Sequence, residues 1–87
     1  MYLDQTDDQL TQITAAIESG TAAEVARLAH GCAGASGTSG VSSMVSLFRD
    51  LETAGENNRM EETVDLLKKA KQQFEKIREL LKNAPSE

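Results

Sequence analysis

The only histidine and the only cysteine of this 87-residue sequence, His30 and Cys32, lie together in the run Ala-Arg-Leu-Ala-His-Gly-Cys-Ala-Gly-Ala-Ser-Gly-Thr-Ser-Gly between positions 26 and 40. A neutral imidazole is nucleophilic near pH 7. On a helix turning about 100° per residue, His30 projects away from Val25, Leu28, Cys32, Ala35 and Ser39, with Ala29 and Ser36 at the edge of that opposite side. Around His30 the same helix carries Ala23, Ala26, Gly34 and Gly37, flanked by Ala33 and Arg27. So small a floor lets another protein approach the ring closely. Gly31, Gly34 and Gly37 would each cost roughly 0.5–1 kcal/mol relative to alanine inside a helix, so stability alone does not choose them. Gly34 sits one turn beyond His30 and clears space for an incoming group. Without that periodicity, 31–40 would read as a glycine-rich loop and His30 as a surface residue.

Other chemistries fail on geometry or count. A zinc site needs about four ligands, whereas His30 and Cys32 supply two that point to opposite sides of the helix. The same divergence excludes a Cys–His nucleophilic pair. Gly31, Gly34, Gly37 and Gly40 have a period of three, but no strand pattern precedes them and no Gly-Lys-Ser/Thr follows, so they make neither a phosphate-binding loop nor collagen. What remains is an exposed nucleophile with no neighbouring base, oxyanion device or metal. It can accept a phosphoryl group, because that transfer depends on in-line positioning and charge stabilisation, which a partner and its Mg²⁺ can supply.

Eighty-seven residues make one domain with a small core. Two phenylalanines, one tyrosine and no tryptophan leave that core to aliphatic residues, as in helix bundles. A lone cysteine forms no internal disulfide and suits a reducing compartment. No run approaches a membrane span, and Asp4, Asp7 and Asp8 stand where a signal peptide would be basic, so a cytoplasmic location without membrane insertion is expected. The net charge of −5 and the lack of aromatic platforms argue against nucleic acid.

Four helices follow from the pattern. The first runs from about 4 to 19 on Leu10, Ile13, Ala16 and Ile17, with Gly20 as its stop and Thr21 with Glu24 as a capping box for the next. The second, from 22 to about 39, carries His30 and ends at Gly40. Ser42 or Ser43 would cap a third helix whose face is Met44, Val45, Leu47, Phe48 and Leu51, ending near Ala54 before a turn at Gly55-Glu-Asn-Asn58. The fourth runs from about 59 to 83 on the stripe Met60, Val64, Leu67, Ala70, Phe74, Ile77 and Leu81, with Pro85 as its terminator and Asp65–Lys69 and Lys71–Glu75 as pairs four residues apart. The short links require antiparallel neighbours. The fold expected is all-α, an antiparallel up-down four-helix bundle.

The run from Leu28 to Ser36, the later Gly40, the helix from Met44 to Leu51-Glu52 and the upstream Ala16-Ile-Glu-Ser-Gly-Thr21 resemble a histidine-containing phosphotransfer (HPt) domain of a bacterial two-component phosphorelay, over nearly the whole chain. The family signature is His-x-x-Lys-Gly-Ser-Ser, then a glycine and a leucine-rich helix ending in Leu-Glu. His30, Gly34, Ser36, Gly40 and Leu51-Glu52 match it. The resemblance implies a phosphocarrier without an autonomous active site, with His30 taking phosphate at Nε2 from a response-regulator receiver aspartate and passing it to another receiver. Gly34 would be the clearance residue, with Gly37 in support. Partners would be receiver domains or a hybrid histidine kinase, with Mg²⁺ on the receiver and no cofactor or metal here. A monomer is expected, and residues 1–87 are compatible with excision from a larger hybrid sensor kinase. Two departures stand out: the family lysine is Ala33 and the first serine of the pair is Ala35. Arg27, one turn before His30, is the local basic residue placed to substitute. Loss of the lysine favours an alternative, a degenerate bundle acting only as a docking module. The intact His30 favours phosphotransfer.

Overall fold

The computed structural model describes the backbone of residues 2–82 and the side chains of 3–81, and holds four helices, α1 (Tyr2–Glu18), α2 (Ala22–Thr38), α3 (Ser42–Glu56) and α4 (Met60–Lys82). No strand occurs among the described residues. Neighbours pack in a ring, α1 on α2, α2 on α3, α3 on α4 and α4 on α1, which is the expected up-down bundle. The expected end of α4 at Asn83 and its terminator Pro85 lie outside the described residues.

One device makes all three reversals. At each helix end a residue with positive φ, Gly20 (73°), Gly40 (77°) or Asn58 (57°), lets its own amide and the next turn back onto the last turn of carbonyls. The Gly20 and Thr21 amides bond to the Ile17 and Ala16 carbonyls, those of Gly40 and Val41 to Gly37 and Ser36, and those of Asn58 and Arg59 to Gly55 and Ala54. The same pair of backbone bonds therefore closes each turn, and the side chains of Ser19, Thr38 and Asn57 add bonds to the carbonyls of Ala16, Gly34 and Thr53. The expected capping box does not form, since the Thr21 side chain makes no cap hydrogen bond, sharing one with Ser19 Oγ at 3.1 Å, and Glu24 pairs with Arg27. Nor does a serine cap α3: its N-cap is Val41, without a side-chain bond.

The core is mostly aliphatic, as composition suggested, but both phenylalanines are inside it. Leu10 and Ile13 of α1, Val25, Ala29 and Cys32 of α2, Met44, Phe48 and Leu51 of α3, and Leu67, Ala70 and Phe74 of α4 are all buried. The α4 stripe departs from expectation at both ends. Thr63 is buried in place of Val64, its hydroxyl donating to the Met60 carbonyl at 2.5 Å, and Val64 is 55% exposed. Leu81 is exposed because α4 outruns α3: Gln73 Nε2 already donates to Ser43 at the start of α3. The ion pairs Asp65–Lys69 and Lys71–Glu75 do not form among the described residues; Arg78 takes Glu75 at 3.6 Å, reaches Asp7 of α1 at 3.5 Å and lies 4.9 Å over the Phe74 ring. It thereby ties α1 to α4.

Gly55 is the main correction to the third helix. Its sequence context reads as a turn, yet it is helical and buried, and α3 continues to Glu56. A Cβ there would lie 2.9 Å from both the Ala22 carbonyl oxygen and the Ala26 amide nitrogen, so the glycine admits the α2 backbone itself. Gly31 and Gly34 show the contrary case, with nothing within 4 Å of an added Cβ. Gly55→Ala should lower stability by about 1–2 kcal/mol, overpacking outweighing the propensity gain, whereas Gly31→Ala and Gly34→Ala should each raise it by roughly 0.5–1 kcal/mol. Urea melts of the three variants check the opposite signs.

Burial pushes the Cys32 thiol up to about 12. In the fold Cys32 is therefore neutral filler, and alkylation should proceed only through unfolding, at least about a hundredfold slower than in denaturant. A thiol pKa raised by folding contributes stability that is complete below the unfolded value of about 8.5 and is lost as pH rises through the folded one. The stability difference between wild type and Cys32→Ala should accordingly shrink between pH 9 and 12, as denaturation at several pH values would show.

Candidate functional site

Helix α2 turns only small and medium-sized side chains inward, in a phase rotated from the one its apolar pattern suggests. The buried positions are Val25, Ala29, Cys32, Ala33 and Ser36. Leu28 and Ala35 are only half-buried and Ser39 is exposed. The core-facing direction thus lies about 60° nearer His30 than expected. His30 consequently stands on the flank of α2 that looks towards α3 and not on its outermost line, while Ala33 is buried.

That rotation brings the histidine to a partner on α3. The His30 side chain is 78% exposed, and its Nδ1 lies 2.9 Å from Oε2 of Glu52, which is 23% exposed. A carboxylate only accepts, so Nδ1 carries the proton and, in the neutral ring, Nε2 keeps the free electron pair. Exposed pairs are worth about 0–1 kcal/mol. The bond therefore orients the ring without adding much to stability.

An open concavity of about 790 Å³ lies beside the ring between α2 and α3. From α2 it is lined by His30, Ala33, Gly34, Gly37 and Thr38, and from α3 by Val45, Arg49, Glu52, Thr53 and Glu56. The sequence-derived positions His30, Ala33, Gly34 and Gly37 are thus brought together. Arg27 is not in that lining. It is 69% exposed and holds Glu24 on its own helix, whose hydrogen bond and charge raise the guanidinium above its ordinary pKa. Ala23 is exposed and Ala26 half-buried.

Glu52 enters the sequence reading only as the end of the Leu-Glu match on the third helix, with no role attached, and Arg49 carries no site signal there. The signal that finds them is the tight reversal at Gly40: counting outward from it along two antiparallel helices brings His30 opposite the end of α3. No group of three or more His, Cys, Asp and Glu side chains among the described residues is arranged to hold a metal ion, and no described helix is long and apolar enough to cross a membrane.

The chain matches no curated protein and no solved structure. The family model described as "Hpt domain" matches residues 1–84, nearly the whole chain and all four helices. With that match and the four-helix fold, the chain belongs to the Hpt domain family, whose members are phosphocarriers of two-component signalling.

Proposed function

We propose that this domain is a phosphorelay intermediate in which His30 accepts a phosphoryl group from the aspartyl phosphate of a response-regulator receiver and passes it to another receiver. The observation that carries the reading is the exposed ring whose Nδ1 is held by Glu52, leaving Nε2 directed to solvent chemistry. The Nε2 electron pair forms the N–P bond as the P–O bond to the receiver's carboxyl breaks, and that electron pair leaves on the carboxylate. The Nδ1 proton stays in place, and Glu52 offsets the positive charge that the phosphorylated ring acquires. The receiver supplies Mg²⁺ and much of the charge stabilisation. The domain works as a cytoplasmic monomer with no chemistry of its own beyond the nucleophile.

Gly31 and Gly34 support the docking half of the proposal, since each costs helix stability and neither admits a neighbouring helix. The partner is a receiver, on its own or within a hybrid kinase, seated over the groove. Ala33 in place of the family lysine supports a second reading, a bundle that binds receivers without carrying phosphate.

Incubation with phosphorylated receivers separates the two. Transfer gives an acid-labile, base-stable label that His30→Ala abolishes; unlabelled protein that still binds receivers would leave only the docking module. Glu52→Ala should slow labelling by about tenfold, equivalent to 1.36 kcal/mol, and Glu52→Gln, which keeps an acceptor oxygen, should lose less. Gly34→Gln should keep the helix and reduce transfer by roughly tenfold or more by displacing the incoming group. Labelling rates and thermal melts of these variants check both.

A further inference from the structure

We propose that Arg49 of α3 binds the phosphoryl group on His30, supplying from the opposite helix the positive charge that position 33 lacks. The proposal rests on His30 being the phosphoacceptor. Two crossings fix the register of α2 and α3: His30 meets Glu52, and a Cβ on Gly37 would lie 3.8 Å from Val45 Cγ2. Both steps span seven residues in opposite directions along antiparallel helices. Three residues on from His30 is Ala33, and three residues back from Glu52 is Arg49. The arginine therefore stands across the groove from the very position where the lysine is missing.

Charge points the same way. Arg49 is the one arginine or lysine lining the concavity beside His30, which also carries Glu52 and Glu56. Of the four arginines, Arg27, Arg59 and Arg78 are each committed to a carboxylate, whereas Arg49 has no ion pair or hydrogen bond among the described residues. An exposed guanidinium left unpaired near two carboxylates keeps its donors available for a third, stronger acceptor. Phosphate suits its planar fork. Arg49 also borders the smaller concavity that continues towards Gly40, so rotation of its side chain moves the guanidinium along the groove without a change of backbone. The small residues Ala33 and Gly34 leave that path open.

The test uses phosphoramidate, a donor that needs no receiver, beside a phosphorylated receiver, with the phosphohistidine lifetime and the transfer rate as readouts. Arg49→Ala should shorten the lifetime or slow transfer by about tenfold with unchanged thermal stability, Arg49→Lys should stay within about threefold of wild type, and Ala33→Lys added to Arg49→Ala should recover most of the loss. Arg27→Ala should change neither readout by more than about twofold. Wild-type behaviour of Arg49→Ala, or a loss confined to Arg27→Ala, would overturn the role of Arg49 while leaving His30 as the acceptor. Absence of acid-labile label on the wild-type protein with both donors would instead overturn the phosphoacceptor reading, and the Arg49 proposal with it.

Discussion

The approach of α2 and α3 at Gly55 sets the register on which the site depends. With no side chain there, the Ala22 carbonyl oxygen and the Ala26 amide nitrogen come within 2.9 Å of where a Cβ would sit, and the two helices then run antiparallel to the reversal at Gly40. Each helix advances 1.5 Å per residue, so the register holds over the eleven residues that separate Ala26 from Gly37. Between those fixed ends lie His30 beside Glu52 and Ala33 across from Arg49. The surface pair cannot itself impose this arrangement, because an exposed His–carboxylate interaction is worth about 1 kcal/mol at most. Core packing of Met44, Phe48 and Leu51 against Val25, Ala29 and Cys32 is far larger, at about 1.5–3 kcal/mol for each large side chain buried. The site geometry is therefore a by-product of the core.

How much of this was legible in the sequence depends on what each residue type reports. Helix existence, order and direction follow from apolar spacing and from Gly20 and Gly40, and those features agree with the structure. The phase of α2 did not, because alanine, glycine and serine carry too little hydrophobic contrast to locate a buried face to better than about one residue's rotation. Gly55 was misleading for the opposite reason: a glycine near two asparagines has the composition of a turn, and only a neighbouring backbone reveals that it marks a close crossing. Thr21 and Glu24 have the spacing of a capping box, but the Thr21 amide that Glu24 would satisfy already bonds to the Ala16 carbonyl, and the Thr21 hydroxyl is shared with Ser19. Of the site, His30 and the small residues around it could be read from one helix. Glu52 and Arg49 come from another, so they needed the register.

An exposed, incomplete site suits the proposed carrier for an energetic reason. A group that must be both accepted and surrendered cannot be held in a deep minimum, since every 1.36 kcal/mol gained by the phosphorylated state slows its release tenfold if the transition state does not share the gain. A buried lysine or arginine against phosphate would create such a minimum. An exposed arginine lining an open groove is screened by solvent and loses side-chain entropy on binding, which limits its contribution. It can still follow the phosphoryl group as bonds exchange, because the charge it meets persists from the receiver's aspartate to the His30 ring. On this view the replacement of a fixed lysine by Ala33, with Arg49 opposite, shifts the source of charge from the histidine's own helix to its neighbour, and makes the lifetime of the carrier state depend on the packing of α2 against α3.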